Sequence, residues 1–292
     1  MNPAACLYIS PHGDDVALSC AARLMADRAA GAAILVVTPF GSAARPAEEA
    51  LATLGAEARD LALPRAETRD PFYASFRSRA YGEAPGDAIW VSRIADALAE
   101  IARRFRPTEV YAPLGVGGHI DHRLCHEAAL RVFEGTDGRN LFFYEERPEA
   151  LVRGAVRIRL AGLGAQLPPG AAEAADSTGL GLFLLRFHLA PRARGEMAGW
   201  TEALRSAGAA AREWRGARRW RPLRAYGPRL QPLVQRADPA HLAQVRALAR
   251  VPIERAKRLD RLALAYARGL GDPEHAERYW LLLPALGGEL TA

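Results

Sequence analysis

Two short stretches concentrate side chains whose types and spacing could do chemistry together. The first is HGDD, His12 to Asp15, directly after the apolar run CLYIS. The second is GVGGHIDHRLCH, Gly115 to His126, directly after the run EVYAPL. Between them they offer His12, Asp14, Asp15, His119, Asp121 and His122. Two imidazoles and one carboxylate around a divalent ion, with a fourth position open to water, make a catalytic zinc site. Such an ion acidifies water, and a further carboxylate beside it can take the proton during attack. The chemistry therefore needs one carboxylate on the metal and one next to it. Adjacent aspartates leaving a strand end point in different directions and can divide those jobs. His122 and His126 lie one helical turn apart and compete as ligands. His126, one turn into the helix and beside Cys125, reads as packing or support. His188, His241 and His275 stand alone in the sequence and read as surface or core residues.

Both motifs need strands to aim them and helices to follow. The first half of the chain supplies these in a βα rhythm. CLYISP reads as a strand and DDVALSCAARLMADRAAG as one helix closed by Gly31. AAILVVTPF is a fully apolar strand of the kind covered by helices on both faces. RPAEEALATLGAEARDL reads as a second helix and DAIWVSRIADALAEIARRF as a third, stopped by Pro107. EVYAPL is the next buried strand, HRLCHEAALRVF the next helix and NLFFYEE another strand. This alternation predicts an α/β, Rossmann-like fold with a mostly parallel sheet and helices on both faces. Ligands in such sheets sit beyond the carboxyl ends of the strands, where both motifs fall. No GxGxxG follows the first strand, which argues against a dinucleotide enzyme.

After Pro148 the rhythm weakens. VRIRLAG, Val156 to Gly162, reads as an edge strand and QLPPGAAEAADSTG as a surface loop. From about Pro191 the pattern is helical and rich in arginine, with IERAKRLDRLALAYARG the clearest late helix. The expected organisation is a catalytic domain over residues 1–190 and an arginine-rich helical extension over 191–292, packed on it.

Composition sets limits on the rest. The chain has 292 residues and a formal net charge of +6, and Lys257 is the only lysine. The densest basic stretch, REWRGARRWRPLR at Arg212 to Arg224, interleaves Trp214 and Trp220 and could stack on nucleotides. A helical cover packing those rings on the body of the protein is the expectation instead, with no nucleic-acid partner. No apolar run approaches the ~20 residues of a membrane span, and no signal pattern is seen. The three cysteines, Cys6, Cys20 and Cys125, form no CxxC pair and sit in apolar surroundings. Buried free thiols in a reducing cytoplasm are expected.

SPHGDDVALSC resembles the PHPDD signature, and HIDH the HxDH signature, of the LmbE/PIG-L family of zinc-dependent de-N-acetylases. The likeness runs from Ala5 to about Tyr144, and KRLDRLALAY and ERYW resemble the closing segment of many bacterial members, ERYW the closing helix. The resemblance implies one zinc ion per chain held by His12, Asp15 and His122, with Asp14 as general base. It implies that His119 polarises or protonates the oxyanion and that Asp121 tunes a histidine by hydrogen bonding. Arg69, in LPRAETRDPFY, resembles an arginine that binds substrate hydroxyls in some members. Gly13 replaces the usual proline and Val16 stands where many members have glutamate, but neither change removes a ligand. The implied substrate is an N-acetylated amino sugar, such as N-acetylglucosamine, or a glycoconjugate. Alternatives are an amidase for a larger acyl group or thiol conjugate, a metal phosphoesterase, and a non-catalytic sugar- or nucleic-acid-binding protein. Two-metal phosphoesterases need more carboxylate ligands than these motifs provide.

Overall fold

A computed structural model describes residues 4–41, 51–52, 55–136, 138–151, 154–167, 229–236, 262–272 and 274–284. β1 (Ala5–Ile9), β2 (Ala33–Thr38) and β3 (Glu57–Asp60) step outward in one direction. β4 (Glu109–Pro113) and β5 (Asn140–Tyr144) step the other way from β1, all five strands parallel. β7 (Ala276–Leu282) then joins β5 antiparallel and β6 (Leu230–Arg236) joins β7, giving the order β3-β2-β1-β4-β5-β7-β6. The order reverses between β1 and β4, which opens a crevice beyond their carboxyl ends.

Strand alternation divides the apolar residues between two layers. Leu7 and Ile9 of β1, Val110 and Ala112 of β4, and Leu141 and Phe143 of β5 pack on one face. After the short helices α3 (Ala66–Arg69) and α4 (Phe76–Tyr81), that face is covered by α5 (Asp87–Phe105) and α6 (Ile120–Phe133), through Ile94, Leu98, Leu124 and Phe133. Cys6 and Tyr8, Tyr111, and Phe142 and Tyr144 point to the other face. There they meet α1 (Asp15–Ser19) and α2 (Ala21–Ala29) through Val16, Cys20 and Leu24. Two covered faces explain why these strands are apolar throughout.

Four stretches depart from expectation, each for a physical reason. The first helix breaks at Cys20, whose backbone leaves the helical region at φ −125° and ψ 18°. The amides of Ala22 and Arg23, freed at the start of α2, donate to the Glu277 carboxylate of β7, a cap no local pattern reveals. The expected second helix gives way to β3, because Gly55 turns the chain at φ +75° and Glu57–Asp60 then pairs with β2. VRIRLAG lies in a helix, α7 (Ala155–Gly162), instead of an edge strand: Val156, Arg159 and Leu160 are among its buried residues, at helical spacing.

The fourth correction concerns the C-terminal region. ERYW is part of strand β7, not a helix, and β6 is a strand too, so the described part of 191–292 includes two strands of the catalytic sheet. Residues 262–269 are helical, as expected. The rest of IERAKRLDRLALAYARG, the Arg212–Arg224 stretch and the expected surface loop lie outside the described residues. β7 is tied in by buried polar side chains. Glu145, just past β5, accepts from Arg278 Nε at 2.6 Å, from Trp280 Nε1 at 2.8 Å and from the Tyr266 hydroxyl. Arg147 donates to the Ala276 carbonyl and pairs with His275 at 2.9 Å. Among the described residues, no helix is long and apolar enough to cross a membrane.

Candidate metal centre

β1 delivers His12 to the crevice through a short, internally bonded turn. The Ser10 hydroxyl donates to the His12 carbonyl at 2.5 Å and accepts the Val16 amide at 3.2 Å. The Asp15 carboxylate accepts the His12 amide at 2.8 Å, so the two side chains are set relative to one another by the backbone. Asp15, the first residue of α1, is buried, while Asp14 at the cap position before it is exposed. The adjacent aspartates thus diverge as their chemistry requires.

β4 delivers the second motif through the loop Leu114–Gly118. Gly118 adopts φ +75°, and a Cβ there would lie 2.4 Å from the Ala80 carbonyl oxygen, so only glycine fits. His119 caps α6, its Nδ1 accepting the Asp121 amide at 3.2 Å. That bond leaves the ring proton on Nε2, and His119 is half-buried at the crevice. Asp121 and His122 follow in the first turn, both buried.

The two motifs converge. Asp15 Oδ2 lies 3.4 Å from His12 Nδ1 and 3.4 Å from His122 Nε2. One donor atom from each of the three residues falls within 4.8 Å of the others. Ligand atoms ~2.0–2.1 Å from a tetrahedral ion stand about 3.3 Å apart, so the mixed N/O set fits a zinc-like cation. The other nitrogen of each imidazole is held by a buried carboxylate. His12 Nε2 bonds Asp121 Oδ2 at 3.1 Å, and His122 Nδ1 bonds Glu146 Oε1 at 3.3 Å. Carboxylates in that position fix ring orientation and tautomer at metal sites.

His12, His119 and Asp121 form a second converging group. Asp121, however, is already saturated. Arg69 donates to its Oδ1 at 2.7 Å, and Oδ2 accepts the Ala66 amide at 3.2 Å as well as His12. Both oxygens of Asp121 are thus already engaged by protein groups.

The carboxylates around His12 favour positive charge there. Burial lowers the His12 pKa, but its bonds to Asp121 and Asp15 prevail and raise it to about 10. Burial would raise the Asp15 carboxyl, yet His122 and His12 hold it well below the usual range. His119 goes the other way: burial pushes its imidazole well below the ordinary value, against the pull of Asp121, and it stays neutral. A neutral ring with its proton on Nε2 is a hydrogen-bond donor that adds no charge of its own.

The remaining expected residues are placed as follows. His126 bonds the Pro113 carbonyl at 2.7 Å and packs on Phe143, in the core. His275 is buried against Arg147, and His188 and His241 lie outside the described residues. Arg69 is buried, with its Nη1 engaged by the protein. Its side chain is 2% exposed, bonded to Asp121 and to the Pro64 carbonyl, and its guanidinium carbon sits over Phe40, Trp90 and Tyr73 at 5.0, 5.4 and 5.6 Å. It supplies a buried counter-charge to Asp121. Glu146 is the residue that sequence reasoning missed. FFYEE carries acids off a strand's carboxyl end into the same crevice, the signal that singled out HGDD.

Residues 7–133 match the model of the PIG-L family, described as GlcNAc-PI de-N-acetylase. The match covers less than half of the chain. It holds all seven of the site residues expected from the sequence. A 2'-N-acetylparomamine deacetylase of Streptomyces fradiae is 36% identical over 168 residues, spanning 52% of this chain and 60% of that protein. The match therefore spans less than two thirds of the relative's length. Among solved structures, the zinc-inhibited form of teicoplanin deacetylase superposes with a TM-score of 0.60 at 17% identity, covering 97% of this chain and 100% of that one. A deacetylase–teicoplanin complex gives 0.58 at 18% identity over 97% and 99%. At such identities the likeness is one of fold, and it includes the region of β6 and β7 outside the family match.

Proposed function

We propose that this chain is a zinc-dependent hydrolase that removes the N-acetyl group from an N-acetylated amino sugar or glycoconjugate. The carrying observation is the convergence of His12 Nδ1, Asp15 Oδ2 and His122 Nε2, with exposed Asp14 and neutral His119 flanking them. The printed names of the relatives support the reaction class, since one is a 2'-N-acetylparomamine deacetylase and the other a teicoplanin deacetylase. His12, Asp15 and His122 would hold the metal, which supplies Lewis acidity to the amide carbonyl and lowers the pKa of water. Asp14 accepts a proton from water as the oxygen attacks the carbonyl carbon, then returns it to the departing amine. His119 donates Nε2–H to the carbonyl oxygen as negative charge develops there. Acetate and a free amine are the products. The three cysteines are buried free thiols, which suits a cytoplasmic location.

The test is acetate release from a panel of N-acetylglucosamine, N-acetylated aminoglycosides and glycopeptide pseudoaglycones, before and after chelation. Turnover of at least one member that disappears with the metal and returns with zinc is expected. A fully metal-loaded protein that releases no acetate from any of them would overturn the proposal.

A further inference from the structure

We infer that Glu146 is a positioning residue that sets the metal-facing nitrogen of His122. The inference rests on the reading of His12, Asp15 and His122 as the metal set. Glu146 reaches from the end of β5 across to the β4 loop, and its side chain is 1% exposed. One oxygen accepts the Gly115 amide at 2.5 Å and His122 Nδ1 at 3.3 Å; the other accepts the Val116 amide at 3.0 Å. A carboxylate is an acceptor only, so three donors meeting it put the His122 proton on Nδ1 and leave the Nε2 lone pair toward Asp15. The same side chain holds the loop that leads into the second motif, so ring angle and loop position are set together. The loop has little room to adjust without it. A Cβ at Gly115, where φ is +87°, would meet the Arg159 guanidinium at 2.9 Å, and one at Gly117 would meet Glu149 at 2.5 Å. Glutamine in place of Glu146 would keep one acceptor but turn an NH2 toward an N–H donor, leaving buried donors unpaired.

The test compares zinc affinity of the metal-free full chain with Glu146→Gln, by competition against a chromophoric chelator, with the cobalt(II) absorption spectrum as a second readout. Loss of a carboxylate behind a ligating histidine weakens metal binding ~10–100-fold, and this loss, with an altered cobalt spectrum, is the expected result. Asp27→Asn, at the far end of β1 where Asp27 bonds Tyr8 and Arg23, is the control for general damage. It should lower thermal stability and leave zinc affinity within twofold. If Glu146→Gln does not fold, Glu146→Asp keeps the charge but draws it back by one methylene, and an intermediate loss of affinity is expected. A Glu146 variant that binds zinc as tightly as the wild type overturns the inference, as does an equal loss in Asp27→Asn. A wild-type chain that binds no stoichiometric metal overturns the metal-centre reading itself, an outcome distinct from the other two.

Discussion

Replacing Arg69 with methionine separates a supporting role beneath the site from a substrate-binding one. Methionine fills the slot among Phe40, Tyr73 and Trp90 but removes the charge paired with Asp121. Both side chains are buried, at 2% and 0% exposure, so solvent cannot take over the lost interaction. Breaking a buried pair by deleting one partner costs ~3–5 kcal/mol. Asp121 keeps two donors, the Ala66 amide and His12, and sulfur–aromatic contacts return ~0.3–1.5 kcal/mol. A net loss of about 3 kcal/mol remains, or ~5 °C in Tm for a chain of this size. Because Asp121 orients His12, the defect should also weaken zinc binding and lower kcat with little change in KM. Thermal unfolding, zinc competition and steady-state kinetics on one preparation read all three. A variant with unchanged Tm and zinc affinity but a raised KM would refute the reasoning and return Arg69 to the substrate.

Asp14→Asn should keep its zinc, since no ligand is touched, yet lose ~10²–10⁴ of kcat as expected for a missing general base; metal analysis with single-turnover kinetics checks both halves. Gly118→Ala should cost ~1–2 kcal/mol for a left-handed backbone, and more for the contact with the Ala80 carbonyl. By moving His119 it should reduce kcat by up to ~10²-fold, with zinc retained, as measured by urea unfolding and turnover. The thiols of Cys6, Cys20 and Cys125 are held in the neutral form, chiefly by burial, which raises each pKa. Since the thiolate is the nucleophile, iodoacetamide at pH 8 should label none in the native protein and three per chain after unfolding, as counted by mass spectrometry.

The first half of the fold was legible because parallel, doubly covered strands are apolar throughout and the long helices α5 and α6 are strongly periodic. The candidate site was legible because its residues stand out from their surroundings. HGDD and HIDH interrupt apolar runs with ionisable groups at the strand ends, where the crevice must lie. What escaped depends on partners distant in sequence. The break at Cys20 is supported by Glu277, more than 250 residues away. Glu57–Asp60 carries helix-compatible residues and becomes a strand only by pairing with β2. Val156–Gly162 alternates apolar and arginine like a strand, but Arg159 is buried by its bond to the Leu114 carbonyl at 2.7 Å. Arg69 was legible as a residue of interest, but its direction was not, because nothing local says that Asp121 lies below it.

The anchoring of β7 on Glu145 and Arg147 has a consequence in time. His12, Asp15 and His122 leave the ribosome early, whereas Arg278, the partner of Glu145, follows 133 residues after it. At ~5–20 residues per second, that separation is roughly 7–27 seconds of synthesis. For that interval Glu145 and Arg147 belong to a growing chain without β7, and the acid that backs His122 stands between two unanchored neighbours. The proposed metal ligands are therefore made well before their support is complete. Firm metal retention becomes a property acquired late in synthesis, and the nascent chain would meet zinc first as a weaker binder than the finished protein.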